Sequence, residues 1–416
     1  MKVCVFGIGK MGLPLAVVLA EAGHSVIGVD VNGELVRKVN EGEPCLLNEP
    51  GVDALVKKHA GATLRATTDG ASAVSGSEIV IIIVPTLITE AGAPDLSIVQ
   101  SVANTIGASM KPGTIVITEC TMPPGETEKL IPILEKESGL KYNEGFFLAH
   151  CPERTMSGSA IEDITRKYPK IIGAGNKEIS AKLAEFYSEL NEKGVIIVSS
   201  IKTAECVKVF EGVYRDVNIA LANELARACE RLGINAREAF DAANTQPYCR
   251  LHRAGCGVGG HCIPYYPYFI MGDDTPLIRK AREVNDSMPL LTARRLAKAG
   301  AKSVLVLGLT FRGGVKEFRK SPALDIVKEL KSLGVRVFAR DPLCSNEEVR
   351  AFGAEPLEGF VGIDAVVACA AHSEFKGINW KAALDEMSGK TVFDGARAID
   401  AGSVRKAGGS YSAWGE

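Results

Sequence analysis

The chain opens on an apolar run, Lys2 to Phe6, that stops at a glycine and passes at once into Gly7-Ile8-Gly9-Lys10-Met11-Gly12. A helical stretch follows from about Gly9 to Ala22. Gly23-His24 breaks it, and Ser25 to Asp30 reads as a second strand. Strand, tight glycine turn, helix and strand make a βαβ unit, which commits this end of the chain to a parallel sheet. The GxGxxG spacing gives each glycine its own task. The first permits the turn, the second lets backbone approach a pyrophosphate, and the third brings helix and strand close. The opening of the helix then offers free N–H groups to phosphate. Asp30 ends the second strand 18 residues after Gly12, where a carboxylate can accept from both ribose hydroxyls and repels a 2′-phosphate. NAD is therefore expected rather than NADP, although Arg37 and Lys38 keep NADP open. A glycine turn used only for packing is the plainer alternative.

The alternation continues. Further buried strands are expected at Glu78–Val84, Thr114–Thr118, Phe146–Ala149 and Lys170–Ile172, with Val195–Ser199 closing the first domain. From Thr203 to Leu232 the pattern changes. Val207, Phe210, Tyr214, Val217, Ala220, Leu221, Leu225 and Ala228 recur at helical spacing without a proline, which predicts a spine of about 45 Å at 1.5 Å per residue. Gly212 is its weak point, and two helices broken there are the alternative. After a helical segment around Pro276–Ala299 the strand signal returns at Ser303–Leu309, Val335–Ala339, Ala365–Ala370 and Lys390–Phe393. The fold class is α/β: two Rossmann-like, doubly wound parallel-sheet domains joined by a long central helix and a helical middle domain. The boundaries expected are 1–199, 200–299 and 300–416. The Gly- and Ser-rich tail from Lys406 is expected to fray.

With 416 residues, 46% hydrophobic and 24% charged, the chain has the composition of a globular enzyme. A net charge of −2 gives no reason to expect nucleic acid as partner. The longest apolar run, Ile79 to Pro85, is far too short to span a membrane. The eleven cysteines form no CxxC pair, so no metal site is expected. With no secretory leader at the start, a reducing cytoplasm is the expected compartment.

One cysteine stands apart. Cys262 lies in Gly257-Val258-Gly259-Gly260-His261-Cys262-Ile263-Pro264. The glycines allow backbone to come close to a ligand. Ile263 and Pro264 suit the first turn of a helix, whose N-terminus would favour thiolate. A buried small hydrophobe is the plain reading. A nucleophilic thiol in a chain that binds a dinucleotide suggests oxidation through a thioester.

Seven motifs now fall in one order. They are Gly7–Gly12 with Leu13-Pro14; Pro85-Thr86; Cys120-Thr121-Met122-Pro123-Pro124-Gly125; Cys151-Pro152-Glu153-Arg154; Lys208 with Arg215–Ala220 and Asn223–Ala226; Gly259–Cys262; and Gly308-Leu309-Thr310-Phe311 with Arg319–Pro322. Over nearly its whole length the chain resembles the nucleotide-sugar 6-dehydrogenases, the family of UDP-glucose, UDP-N-acetylmannosamine, UDP-N-acetylglucosamine and GDP-mannose dehydrogenases. The resemblance implies oxidation of the C6 alcohol of a UDP-sugar twice, with NAD as acceptor, to a uronic acid. Cys262 would carry first a thiohemiacetal and then a thioester. It makes Lys208 the cation that stabilises alkoxide and oxyanion and Glu153 the acid that handles a proton or water. Thr121 falls at a strand end near the water or the nicotinamide. Pro85, Thr86, Thr121 and Arg319 join Gly7, Gly9, Gly12 and Asp30 as cofactor contacts. Glu153, Lys208, Arg253, Gly259, Gly260, Arg312 and Arg397 are the substrate contacts. By itself Lys208 would read as a solvated helix charge, and Arg397 as a surface residue. A homodimer through the exposed side of the spine is expected, with Arg397 reaching UDP across it.

The chain departs from the family at two places. Asn is usual four residues after the spine lysine, and here it is Gly212. Asp is usual four residues after the cysteine, and here it is Tyr266. The loss of a side chain at Gly212 would make room for the Tyr266 ring. Arg215–Ala220 and the histidine before Cys262 look like the N-acetylhexosamine branch, so UDP-N-acetyl-D-mannosamine is the expected substrate, with UDP-glucose, giving UDP-glucuronate, as alternative. Two other classes compete. A two-electron β-hydroxyacid dehydrogenase has neither the cysteine nor a second α/β domain, so Ser303–Phe393 argues against it. A catalytically weakened homologue that only binds NAD and a UDP-sugar is kept open by Gly212 and Tyr266.

Overall fold

A computed structural model describes residues 1–46, 49–89 and 93–416. The chain divides into two compact units, Met1–Glu211 with Tyr268–Ile270, and Gly212–Pro267 with Met271–Glu416.

The first unit is built on strands β1 (Lys2–Phe6), β2 (Ser25–Val29), β3 (Leu64–Thr67), β4 (Ile79–Ile82), the two-residue β5 (Leu87–Ile88) and β6 (Pro94–Asp95), β7 (Ile115–Thr118), β8 (Phe147–His150), β9 (Lys170–Ala174) and β10 (Val195–Ile197). Eight of them form one sheet in the order β10-β9-β8-β7-β4-β1-β2-β3, and β5 pairs with β6 alone. The period of two along each strand fills both faces. Val3 and Val5 enter one core with Ile79 and Ile81. Cys4 and Phe6 enter the other with Val80 and Ile82. A sheet buried on both sides reads as unbroken apolar runs, which is why β1, β4 and β7 are plain in the sequence. β3 is not, because Leu-Arg-Ala-Thr alternates buried and exposed positions at the sheet edge. The sheet is not wholly parallel: β9 runs antiparallel to β8, with Ala149 opposite Ala174.

The second unit holds β11 (Ser303–Leu307), β12 (Arg336–Arg340), β13 (Glu355–Pro356), β14 (Ala365–Ala368), β15 (Thr391–Asp394) and β16 (Ser410–Ser412). Their order is β13-β12-β11-β14-β15-β16, and every pairing is parallel. In both sheets the order reverses beside the first strand, and the crevice at that switch point is where such sheets bind ligands.

The spine is one helix, Ile201–Leu232, 32 residues long, unbroken at Gly212. Its C-terminal half packs Ala222, Ala226 and Cys229 against Met288, Leu296, Val304 and Val306. A buried polar ladder fixes its register. Asp216 pairs with Arg282 at 2.5 Å, and Asn285 donates to the Asp216 carboxylate and accepts from Asn223 across the same seam.

The tail does not fray. β16 pairs with β15, and the next residues are buried: Ala413 is 0% and Trp414 5% exposed. The Trp414 indole meets Phe393 edge-on at 5.7 Å and donates to Thr292 Oγ1 at 3.2 Å. The glycines and serines that look disordered form a turn and an edge strand. Among the described residues no helix is long and apolar enough to cross a membrane, and no group of three or more His, Cys, Asp or Glu could hold a metal ion.

Candidate active site

In the first unit the candidate residues gather at the carboxyl ends of the strands. Gly7 follows β1 with φ of 91°. A Cβ on Gly12 would lie 1.9 Å from the Gly7 carbonyl oxygen, whereas a Cβ on Gly9 would meet nothing within 4 Å. Two glycines thus close the turn onto itself, and the middle one leaves a face of bare backbone open. That is the shape a pyrophosphate needs, so the residues fit a bound dinucleotide. Asp30 follows β2, where its carboxylate accepts from Asn32 N at 2.9 Å. Arg37 is bound up with Glu34, Glu41 and Glu43, so its cation is already matched by three carboxylates. This disfavours a 2′-phosphate and supports NAD over NADP. Pro85 and Thr86 follow β4, and Thr121 follows β7.

Glu153 lies three residues past β8 and is 8% exposed. Its backbone N–H donates to the Glu119 carbonyl at 3.0 Å. Its carboxylate accepts from Thr155 N and, at 3.4 Å, from Lys208 Nζ. Lys208 is therefore no solvated helix charge; its side chain is 11% exposed. The pair sits among residues that motif reading passed over. Glu119 is fully buried, where Lys170 and Tyr187 each donate to it at 2.6 Å. His150 ends β8 and shares a hydrogen bond of 2.8 Å with Thr118 Oγ1. Burial, with the charges of Lys208 and Lys170, pushes His150 down to about 3, so the ring is neutral at pH 7. Glu205, one turn before Lys208, accepts from Gly125 N and Thr127 N and so anchors the Cys120–Gly125 loop. A cavity of about 30 Å³ touches Glu153, Glu119, Arg154, Lys170 and Tyr187, room for a water or two. A signal existed for Glu119, His150 and Glu205: each falls at or just past the C-terminal end of an apolar strand or on the lysine's helix.

In the second unit the glycine loop lies flat on two other motifs. A Cβ on Gly259 would be 2.7 Å from Phe311 Cβ and 2.8 Å from the Lys320 carbonyl oxygen. Gly260, with φ of 96°, donates its N–H to the Arg319 carbonyl at 2.9 Å. The structure thus brings together Gly259–Cys262, Phe311 and Arg319–Pro322. No α-helix follows Cys262. A turn leads into a four-residue 3₁₀ helix, Tyr266–Phe269, so the thiol does not gain the helix N-terminus expected for it. What it has is a neighbour. The neighbouring Cys262 side chain, outweighing burial, holds the His261 imidazole above its usual range. An imidazole that keeps its proton more readily beside a sulfur favours thiolate. The Cys262 thiol is partly exposed.

Tyr266 is 6% exposed, and its ring lies against Gly212, where an added Cβ would come 2.0 Å from Cδ2. The missing side chain and the added ring do occupy one space. Arg253, Arg312 and Arg319 lie at the surface of this unit. Arg397 takes a left-handed φ of 56°. Its guanidinium binds Glu416 at 2.6 Å and the Trp414 carbonyl at 2.8 Å.

Comparison with known proteins matches three consecutive family descriptions: the NAD binding domain over residues 1–191, the central domain over 202–287 and the UDP binding domain over 305–401. The chain belongs to the UDP-glucose/GDP-mannose dehydrogenase family. It is thus an NAD-dependent nucleotide-sugar dehydrogenase. It is 37% identical over 411 residues to the UDP-N-acetyl-D-mannosamine dehydrogenase of Pyrococcus horikoshii, covering 96% of each chain. It is 34% identical over 413 residues to an NDP-N-acetyl-D-galactosaminuronic acid dehydrogenase of Ralstonia solanacearum, covering 94% of this chain and 95% of that one. The solved structure of the UDP-D-ManNAc dehydrogenase from Pyrococcus horikoshii superposes with a TM-score of 0.89 at 34% identity, over 100% of this chain and 99% of that one.

Proposed function

We propose that the protein oxidises UDP-N-acetyl-D-mannosamine at C6 to the uronic acid, through a thiohemiacetal and then a thioester on Cys262. The observation that carries this reading is the His261–Cys262 pair, a thiol with its own imidazole on a glycine loop beside the UDP binding domain's Phe311. NAD, when bound, supplies the hydride acceptor for both oxidations. The protein's own residues do the rest. Glu153 takes the hydroxyl proton, and the Lys208 ammonium steadies the developing alkoxide. The Cys262 thiolate adds to the aldehyde carbon, forming a C–S bond while the oxygen gains a proton. Loss of a second hydride and that proton leaves the thioester. Water, activated by Glu153 beside its small cavity, adds to the thioester carbon. The C–S bond breaks, giving the acid and returning the thiol.

The choice of sugar rests on relatives named for N-acetylhexosamines. Incubation with NAD and, in turn, UDP-N-acetylmannosamine, UDP-N-acetylglucosamine, UDP-glucose and UDP-galactose is expected to give two NADH per sugar with the first and least with UDP-glucose. Cys262→Ser is expected to form no acid and at most one NADH per sugar. Full turnover by that variant would reject the thioester route. Tight UDP-sugar binding without NADH would mark a protein that binds and does not oxidise.

The same reading makes the working form a homodimer through the spine, on which Phe210, Tyr214 and Leu221 are 54%, 53% and 43% exposed. It also puts the protein in the cytoplasm, in keeping with cysteines that form no disulfide among the described residues.

A further inference from the structure

We propose that Gly212 and Tyr266 form one device that positions Cys262: the ring of Tyr266 seats in a notch on the spine helix, and the peptide of the same residue holds the cysteine's carbonyl. The inference rests on the reading of Cys262 as nucleophile.

The notch is made by an absence. A Cβ at position 212 would lie 2.0 Å from Tyr266 Cδ2, 2.9 Å from Cγ and 3.0 Å from Cε2. Those atoms belong to the base of a rigid ring that is 6% exposed, so no flexible chain end can swing aside. Any residue but glycine displaces the ring. The ring in turn cannot move without its backbone. Tyr266 N and Tyr265 N both donate to the Cys262 carbonyl oxygen, each at 3.0 Å, closing a turn of five residues. On the other side of the cysteine, Gly260 N is fixed to the Arg319 carbonyl at 2.9 Å, and its glycine face lies on the Phe311 ring. Cys262 is thus held from both directions, by a clamp two residues before it and by the seated ring four residues after it.

This explains why both positions depart together. With Asn at 212 the ring has no seat, and with a small polar residue at 266 the notch is empty. Each change requires the other, and their shared result is a cysteine loop braced by the packing of a ring into the helix notch. A displacement of about 1 Å at a reacting group can cost about 100-fold in rate, so the brace belongs to the positioning of the nucleophile.

The test uses the full-length protein with Gly212→Ala, Tyr266→Ala and the double variant. Three quantities are read: kcat and KM with UDP-N-acetylmannosamine, the rate of Cys262 carbamidomethylation by iodoacetamide followed by peptide mass, and NAD affinity with thermal midpoint. Gly212→Ala is expected to lower kcat by about 100-fold and to change the alkylation rate, with NAD affinity intact. Tyr266→Ala is expected to do the same. In the double variant the added methyl meets no ring, so its losses equal those of Tyr266→Ala alone within about twofold. Should Gly212→Ala fail to fold, the double variant is expected to fold. Parental kcat and alkylation in either single variant, or losses that multiply in the double, would overturn the proposal. Alkylation needs no sugar, so failure to oxidise any UDP-sugar would reject the proposed function and leave the coupling at Cys262 measurable.

Discussion

Lys208 and His150 show how burial changes what a side chain does. Lys208 reads in the sequence as one more charge on a helix, yet its ammonium is nearly enclosed against Glu153. Held there, it is a fixed donor for developing negative charge, and fixed donors lose little to reorganisation. Lys208→Ala is expected to lower kcat by about 100- to 1,000-fold with NAD affinity little changed, measured by steady-state NADH formation and cofactor titration. Lys208→Arg is not expected to rescue it, because a planar fork does not replace a compact ammonium. His150 gives a pH dependence with a definite sign. Burial, then the neighbouring Lys208 and Lys170, depress it from 6.5 to about 3 in the folded state. The unfolded chain therefore takes up a proton first as pH falls. The stability contributed by the neutral ring is complete above pH 6.5 and is lost progressively toward pH 3. Urea midpoints between pH 7.5 and pH 5 are expected to fall, and the fall is expected to be shallower in His150→Gln. Equal slopes in the two proteins would rule this out.

Among the elements, the spine helix and the terminal strand behave unlike their compositions. A glycine inside a helix costs about 1 kcal/mol relative to alanine, and at Gly212 that cost is offset by the buried ring packed on it. The tail carries few apolar residues, but Trp414 plugs the core beside Phe393 and Thr292, and Arg295 lies 5.2 Å over its ring. Trp414→Ala is expected to destabilise the second unit by about 3–5 kcal/mol, seen as a lower denaturant midpoint. A variant within about 0.5 kcal/mol of the parent would show the tail to be dispensable. Arg397, tied by Glu416 and the Trp414 carbonyl, would lose its anchor in the same variant.

For the whole molecule, two sheets of like strand order set the division of labour. One switch point carries the open Gly7–Gly12 turn, the other the Gly308–Arg312 loop. Glu153 and Lys208 belong to the first unit and Cys262 to the second. The dimer proposed on the spine predicts that Tyr214→Glu with Leu221→Glu gives a monomer by light scattering while NAD binding persists. A dimer of unchanged mass would move the interface elsewhere.

The sequence by itself determined the elements and most of the chemistry-bearing residues. Both Rossmann-like sheets were legible because strands buried on two faces must be apolar throughout, as in Ile79–Ile82 and Ser303–Leu307. The cofactor turn was legible because only glycine satisfies its contacts. β3 and β16 were not, since edge strands carry polar residues that read as loop. The tertiary structure alone decided what surrounds each candidate. It put a turn and a short 3₁₀ helix after Cys262 in place of an α-helix, enclosed Lys208 with Glu153, and gathered Glu119, His150 and Glu205, far apart in sequence, around them. It also turned two departures from a family pattern, at Gly212 and Tyr266, into a single contact. Spacing along a chain fixes which faces residues share; only packing fixes what each face meets.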